Sequence, residues 1–360
     1  MPLPPPDPFL RLKARGSATN PAGRFEPRES SAENDGWDLP EEERLLRTEV
    51  SEERPRSLIN YIASPDLPFD RTINPYRGCE HGCTYCFARP SHSYLGLSAG
   101  LDFETKLVAR PDAPALLARE LARKAYKVEP VAIGTSTDPY QPIEARYRIM
   151  RGILTVLSEW NHPVAIVTKG AMIERDIDIL ADMASRSLVH VGVSVTTLDP
   201  GLSRAMEPRA PVPARRLAAI EKLAAAGVPV RVMAAPVVPV LTEPELEAIL
   251  AAGAKAGARA ANWILLRLPY EVAPLFRDWL ARAYPGQADH VLNRLRAMRG
   301  GADYDAEWGK RMRGEGPYAD LIQRRFAVAV KRLGLGGRLP HLDRSRFARP
   351  ERPGDQLSLF

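Results

Sequence analysis

Short apolar, β-branched runs alternate with amphipathic helical stretches from residue 71 to about residue 270. The runs are apolar on both faces, which is typical of strands that are covered by helices on both sides. The predicted strands span residues 71–76, 130–134, 163–168, 188–196, 229–235 and 262–268. The predicted helices between them span residues 113–125, 148–160, 174–184, 213–226 and 244–256.

Six strands that alternate with helices predict an α/β fold with a parallel sheet. Gly227 and Gly257 directly follow predicted helices, as C-terminal caps commonly do. Six units are fewer than the eight of a closed barrel, so we expect a partial (β/α)6 TIM-like barrel. In such folds the chemistry lies at the carboxyl ends of the strands.

The two ends of the chain differ from this pattern. Residues 1–65 are rich in Pro, Arg, Glu and small polar residues, which predicts an extended or disordered segment. The turn-rich residues 15–25 within it are either a linker or a stretch that packs on the barrel. After a barrel domain at 66–272, residues 273–333 predict a helical extension and residues 334–360 a basic, flexible tail. The extension contains predicted helices at 275–283, 287–299 and 317–332.

Composition places the chain among water-soluble globular proteins, with 45% apolar and 26% charged residues among 360. No export signal is visible at the N-terminus. The longest apolar stretch, residues 228–241, contains Arg231 and three prolines, so it is a poor membrane span. We therefore expect a cytoplasmic protein without membrane contact. The net charge of +6 permits polyanionic partners.

The only three cysteines form one C-x3-C-x2-C loop, Cys79, Cys83 and Cys86, directly after the first predicted strand. An odd, clustered set favours a metal or cluster over disulfides. Three thiolates fill three corners of a four-iron cubane and leave the fourth iron open. The alternative is a structural zinc with His81 or His92 as the fourth ligand. Because all three thiols lie in a single loop, an iron–sulfur cluster is the favoured interpretation.

This cysteine motif, with aromatic Tyr85 before the last cysteine, resembles the radical S-adenosylmethionine (SAM) superfamily. The resemblance implies a [4Fe-4S] cluster whose open iron binds SAM. Reductive cleavage of SAM then gives methionine and a 5′-deoxyadenosyl radical that abstracts hydrogen. Residues 134–144 (GTSTDPYQPIE) and 74–79 (NPYRGC) further resemble the spore photoproduct lyase-like branch, over roughly residues 70–335. Residues 15–25 resemble an N-terminal segment of uncharacterised members of that branch.

The resemblance implies SAM contacts at the ends of the first two strands. Tyr85 and Phe87 are expected near the adenosine or the cluster, as aromatic faces for stacking. Thr137 and Asp138 are expected to hold the methionine amino group or the ribose of SAM. The alternative for Asp138 is a turn-forming role before Pro139.

Further contacts are implied at the ends of the next three strands. Lys169 is expected to pair with the SAM carboxylate as a point charge, and Ser194 to donate a hydrogen bond to it. Ala235 is expected to pack on the adenine. The alternatives are a solvated Lys169 and a Ser194 that merely fills the core. An external electron donor such as flavodoxin or ferredoxin is also implied.

One departure from the family concerns the hydrogen donor. Lyases that repair the thymine dimer use a further cysteine near the end of the second strand, where this chain has Thr135 and Ser136. Tyr140 or Tyr94 is the candidate relay in its place. We expect a repair-like radical SAM lyase that acts on DNA or a nucleotide. The alternatives are modification of RNA, a peptide or a small molecule, or a non-enzymatic metal protein that docks on the replication machinery.

The C-terminus resembles the short peptide with which bacterial repair proteins bind the sliding clamp. In it, Gln356 would fix the register, and Leu357, Leu359 and Phe360 would supply apolar anchors. Residues 324–352 before it hold nine Lys or Arg against two acids. With Phe326, His341 and Phe347 interleaved, this stretch predicts a surface that tracks phosphates. The alternative is a solvated basic tail.

Overall fold

The computed structural model describes residues 15–25, 47–337 and 339–350. Strands and helices alternate through most of this range, as expected. The strands of the described residues are β1 (Glu49–Glu52), β2 (Ile59–Tyr61), β3 (Arg71–Ile73), β4 (Tyr76–Arg77), β5 (Lys106–Ala109), β6 (Val131–Ile133), β7 (Val164–Thr168), β8 (Val189–Ser194), β9 (Val230–Val237) and β10 (Ala260–Leu265).

The α-helices of the same residues lie mainly between these strands and after them. They are α1 (Asp102–Thr105), α2 (Ala113–Leu121), α3 (Glu144–Tyr147), α4 (Ile149–Glu159), α5 (Ile177–Ser185), α6 (Pro200–Met206), α7 (Pro213–Ala225), α8 (Leu246–Lys255), α9 (Val272–Ala283), α10 (Ala288–Ala297) and α11 (Pro317–Arg332). Short 3-10 helices occur at Arg89–Leu95, Ala171–Asp176, Glu243–Glu245 and Pro285–Gln287.

The large sheet has the strand order β10-β9-β8-β7-β6-β3-β2 in the described part of the chain. Its six strands from β3 to β10 pair in parallel with their neighbours, in the order in which they occur along the chain. Only β2 pairs antiparallel, at the edge beside β3. The predicted partial (β/α)6 barrel is therefore confirmed.

The apolar side chains of the strands and of the helices pack together in one core. Inward residues of the sheet such as Val164, Val191 and Val230 are fully buried. The buried positions of α4 are Ile149, Met150, Ile153, Leu154 and Leu157, which form one face at helical spacing. Each such aliphatic side chain contributes about 1.5–3 kcal/mol when it is buried. This core holds the strand ends in place and so fixes the geometry of the site.

The N-terminal region differs from the extended or disordered segment that its composition predicts. Within it, β1 joins β5 and β4 in a small second sheet, and β2 extends the main sheet. Residues 15–25 pack on the barrel, for example through Asn20, whose side-chain amide donates to Asp102 at 3.0 Å. Asp102 lies 82 residues from Asn20 in the chain, and Glu271, the partner of Arg24, lies 247 residues from it. Local composition carries no information about such pairing.

The C-terminal segment also differs from the expected flexible tail. Phe347 stacks on Trp160 at 5.9 Å between ring centroids and meets His162 edge-on at 5.6 Å. The peptide N–H of Asp343 donates to the carbonyl of Ser187, just before β8. This segment therefore crosses the amino ends of β7 and β8, on the face opposite the cysteine loop.

Two of the three side chains predicted to stack with nucleic acid bases pack against other parts of the protein. Phe347 is packed as described, and Phe326 contacts Trp263 at 6.3 Å between centroids, while His341 is exposed. The clamp-like residues Gln356, Leu357, Leu359 and Phe360 lie outside the described residues. In the part of the chain that is described, no helix is both long and apolar enough to cross a bilayer.

Candidate active site

The cysteine loop lies where the sequence predicts, after β3 at the carboxyl edge of the sheet. Cys79 and Cys83 are buried, Cys86 is half-buried, and all three thiols are free. Burial raises the pKa of Cys79 well above its usual value and that of Cys83 to about 12. Enclosed thiols of this kind become thiolates when a cationic metal centre binds them. Their burial therefore fits a resident cluster.

The same loop argues against a single zinc ion. Among the described residues, no three His, Cys, Asp or Glu side chains are grouped closely enough to hold one metal ion. His92 Nε2 bonds the Lys106 carbonyl at 2.9 Å, and His81 Nδ1 faces Asp138 at 3.4 Å. Zinc needs four ligands that meet at one ion, whereas the thiolates of a cubane surround the cluster and each bind a separate iron. The residues present fit a [4Fe-4S] cluster.

The residues after β6 brace the backbone of the cysteine loop. The Thr137 hydroxyl donates to the Tyr76 carbonyl at 3.1 Å. The Gln141 amide donates to the Gly78 carbonyl at 3.1 Å and accepts from the Glu80 N–H at 2.9 Å. Thr137 and Gln141 are both buried. The polar residues of this motif therefore act on the loop that carries the thiols.

Asp138 also holds protein groups near the cysteine loop through hydrogen bonds. Its carboxylate accepts hydrogen bonds from the Thr168 hydroxyl at 2.6 Å and the Lys169 N–H at 2.7 Å, and it also faces His81. Burial opposes ionisation, but His81 and the hydrogen-bond donors hold the pKa of Asp138 well below its usual value. Because both oxygens are engaged by the protein, the turn-forming alternative suits Asp138 better than direct contact with SAM.

A buried carboxylate, Glu207, escaped the sequence analysis. It accepts hydrogen bonds from the Tyr85 hydroxyl, the Thr196 hydroxyl and the Arg216 guanidinium. Burial again opposes ionisation, yet Arg216 and then Lys169 lower the pKa of Glu207 to about 2. The carboxylate thereby holds Tyr85 beside Cys86. Glu207 follows α6 and not a strand, so the rule that site residues lie at strand ends could not find it.

Lys169 and Ser194 retain open hydrogen-bonding capacity beside the loop. The Lys169 ammonium lies 4.0 Å from Glu207 and 5.7 Å from the centre of the Tyr85 ring, and its side chain is 18% exposed. Within the described residues, neither this ammonium nor the Ser194 hydroxyl has a hydrogen-bond partner. Half-buried Ala235 lies near the end of β9, where its carbonyl accepts from Thr196 at 3.4 Å. The open Lys169 ammonium and Ser194 hydroxyl suit a bound carboxylate.

The three remaining aromatic candidates have different surroundings. Phe87 is 46% exposed next to Cys86, as a stacking face requires. Tyr140 is only 1% exposed, and Asp176 and Glu144 are the charges nearest to its hydroxyl. The Tyr140 hydroxyl is enclosed in the core, which makes this residue a poor candidate for a hydrogen relay. Tyr94 is 72% exposed.

Residues 15–25 cover the outer side of the cysteine loop. The peptide N–H groups of Gly16 and Ser17 both donate to the buried Glu104 carboxylate at 2.9 Å, and Arg89 pairs with the same group. A Cβ at Gly16 would overlap the carbonyl of Gly82, which lies between two of the cysteines. The N-terminal segment thus belongs to the wall of the site.

Comparisons with known proteins agree with this geometry. The model of the radical SAM superfamily matches residues 73–252. An uncharacterised protein of Mycobacterium tuberculosis is 44% identical over 273 residues, which are 75% of this chain and 76% of that protein. An uncharacterised protein of Methanocaldococcus jannaschii is 24% identical over 200 residues, which are 55% of this chain and 71% of that one.

Among solved structures, spore photoproduct lyase superposes with a TM-score of 0.54 at 15% identity, over 79% of each chain. At this identity the likeness shows the fold, which is the fold that the sequence resemblance implied. The cofactors of the family are the expected [4Fe-4S] cluster and SAM, and its members are enzymes. The chain belongs to the radical SAM superfamily.

Proposed function

We propose that this enzyme cleaves SAM reductively to a 5′-deoxyadenosyl radical, which abstracts hydrogen from a DNA or nucleotide substrate in a repair-like lyase reaction. The observation that carries this proposal is the set of three free cysteine thiols in one loop after β3, two of them buried and Cys86 half-buried. When bound, the cluster supplies the electron for cleavage. Cys79, Cys83 and Cys86 are its proposed ligands.

The residues around the loop have separate proposed roles in holding SAM. The Lys169 ammonium pairs with the SAM carboxylate, and the Ser194 hydroxyl donates to it. Phe87 offers a face to the adenosine, and Ala235 packs on the adenine. The buried Tyr85 shields the cluster side of the site, since Glu207 holds its hydroxyl.

Thr137 and Asp138 contribute through the protein. Thr137 fixes the backbone before the cysteine loop, and Asp138 fixes both His81 and the peptide of Lys169. We therefore propose positioning roles for both residues. Displacement of either would move the SAM-binding groups relative to the thiols.

Two observations support a nucleotide substrate. One structure of spore photoproduct lyase holds SAM together with a dinucleoside spore photoproduct, and this chain has the same fold. The cluster loop here is also bordered by exposed aromatic rings and arginines. The reaction itself differs from that of dimer-repair lyases with a donor cysteine, because the chain has no fourth cysteine.

We propose two protein partners in addition. The peptide formed by Gln356, Leu357, Leu359 and Phe360 is suited to the sliding clamp, and a flavodoxin or ferredoxin is suited to reduce the cluster. Deletion of residues 356–360 should abolish binding to a purified bacterial clamp and leave SAM cleavage intact. Equal binding of the truncated and full-length proteins would contradict the docking proposal. Anaerobic mixing with each reduced donor, followed by the absorbance of the cluster, tests the second partner.

The proposed activity is tested with the reconstituted, reduced enzyme and SAM. The enzyme is incubated with intact oligodeoxynucleotide, ultraviolet-irradiated oligodeoxynucleotide, or none, and 5′-deoxyadenosine and altered bases are measured. We expect 5′-deoxyadenosine in all samples and a strong increase with one DNA substrate. Cleavage that responds to RNA or peptide, but to neither DNA, would contradict the substrate class. Absence of 5′-deoxyadenosine under all conditions would contradict the enzyme mechanism.

A further inference from the structure

Exposed aromatic side chains are concentrated in one region beside the cysteine loop. Eight large apolar side chains are exposed among the described residues, and four of them lie here. These four, which we call the aromatic band, are Phe25, Phe87, Tyr94 and Tyr270. Their exposed fractions run from 46% for Phe87 to 72% for Tyr94. Single exposed apolar residues are ordinary, but a grouped set marks a binding surface.

Arg24 lies near two rings of the band, those of Phe25 and Tyr270. The Phe25 and Tyr94 rings lie 5.3 Å apart between centroids. The Arg24 guanidinium lies 5.5 Å from the Phe25 ring and 4.0 Å from the Tyr270 ring. The Glu271 carboxylate lies 2.7 Å from the Arg24 guanidinium and holds it in this position. Residues 15–25 therefore link Phe25 and Tyr94 to Tyr270, which follows β10.

Arg267 connects the band to the cysteine loop. It follows β10, and its guanidinium lies 4.9 Å from the Phe87 ring, next to Cys86. On its other side, Arg267 bonds the Tyr304 hydroxyl at 3.3 Å. Exposed rings thus lead to the site at which the cluster and SAM are proposed to bind.

Three arginines on or near β10 lack an ion-pair partner among the described residues. In the described part of the chain, no carboxylate lies within 4 Å of Arg267, Arg299 or Arg313. Each of these guanidinium groups also has at least one buried N–H without a partner. The nearby Asp66 and Asp303 are already paired with other arginines, and Asp305 acts on Arg299 without forming an ion pair with it.

Burial also destabilises the charged form of two of these arginines. It lowers the pKa of Arg299 and of Arg313 to about 10. Buried charges without partners are costly, and an anion bound close by would relieve this cost. The region is therefore suited to a ligand with several negative charges.

We propose that the aromatic band, with Arg267, binds single-stranded DNA and leads one nucleotide past Phe87 to the cysteine loop. Aromatic faces stack with bases of any sequence, and arginines pair with the phosphates between them. A protein partner would use the rings but would leave Arg267 without an anion. This inference rests on the proposed DNA substrate and assigns it a surface.

The test measures binding of a fluorescein-labelled 12-mer of deoxythymidine by fluorescence anisotropy, at several salt concentrations. Arg267→Gln should weaken binding about ten-fold and lower the slope of log affinity against log salt by about 0.7, for one lost phosphate contact. Tyr270→Ala should weaken binding about five-fold or more, because one stacked base is lost. The charge control is Arg259→Gln, exposed elsewhere, and the aromatic control is Tyr61→Ala on β2.

The result expected is a loss in the band variants and unchanged binding in the controls. Equal losses in band and control variants, or no binding by the wild type, would overturn the inference. The SAM cleavage of wild-type enzyme, measured without oligonucleotide, separates the two proposals. If SAM is cleaved but the 12-mer does not bind, the band inference fails alone. If the 12-mer binds through the band but SAM is not cleaved, the proposed function fails and the band remains.

Discussion

The side-chain amide of Gln141 bonds both peptide groups that flank Cys79. It donates to the Gly78 carbonyl at 3.1 Å and accepts from the Glu80 N–H at 2.9 Å. Gln141 is fully buried, so no water replaces these two bonds. The direction of the first thiol is therefore set by a residue 62 positions later in the chain.

Gln141→Leu should destabilise the cysteine loop by about 2–4 kcal/mol, because two buried peptide groups lose their partners. We expect less iron per chain after reconstitution and faster loss of the cluster to a chelator. Gln323→Leu, at an exposed position of α11, is the matched control. Iron content and chelation rates of Gln141→Leu that equal those of the wild type would show that the loop holds its shape without this amide.

Lys169→Met should weaken SAM binding by roughly ten- to a hundred-fold, because one charge-assisted hydrogen bond to the carboxylate is lost. Equilibrium dialysis with labelled SAM, on the reconstituted protein, measures this effect. Lys255→Met, exposed at the end of α8, should bind SAM normally. A Lys169→Met variant with full cluster content and wild-type SAM affinity would assign the carboxylate to another group.

Gly16→Ala should displace residues 15–25 from the cysteine loop, since the new methyl group would overlap the Gly82 carbonyl. We expect faster amide hydrogen exchange in residues 15–25 and faster bleaching of the cluster in air. Gly286→Ala is the control, because a Cβ there meets open space. If Gly16→Ala left both rates unchanged, this segment would not protect the loop.

His162 should make stability depend on pH. Burial, and to a lesser extent the nearby charge of Arg71, lower the pKa of His162 to about 4, while Tyr126 and Phe347 pack against its ring. Between pH 4 and the unfolded pKa of about 6.5, the unfolded chain binds more protons. The free energy of unfolding should therefore fall as the pH decreases through this window, by up to about 3 kcal/mol from this residue.

The measurement is chemical denaturation between pH 4.5 and 7.5. His162→Gln should have a flatter pH dependence than the wild type over this range. His290→Gln, exposed on α10, should follow the wild type. Parallel pH profiles for His162→Gln and the wild type would contradict a neutral, buried His162.

The barrel could be predicted from the sequence because its strands are continuous apolar runs. Val164 and Val191 are buried as their pattern requires, and the cysteine loop follows the first of the parallel strands. Local patterns of this kind do not depend on distant partners. The same reasoning placed Lys169 and Ser194 at strand ends beside the loop.

Residues whose roles depend on distant contacts could not be predicted in this way. Tyr140 follows a strand, as a relay would, but the structure buries its side chain against Asp176. Glu207 follows a helix, and only the fold brings it to Tyr85. Phe347 belongs to a basic stretch, yet it packs on Trp160 at the opposite face. In each case the tertiary partner overrides what the neighbouring residues indicate.

Electron paramagnetic resonance of the reconstituted, reduced protein, with and without SAM, tests the central claim most directly. We predict four irons per chain, a signal typical of a reduced [4Fe-4S] cluster, and a clear change of that signal when SAM binds the open iron. Cys83→Ala should lose the signal. A colourless protein with stoichiometric zinc, or a cluster signal that SAM leaves unchanged, would contradict the claim.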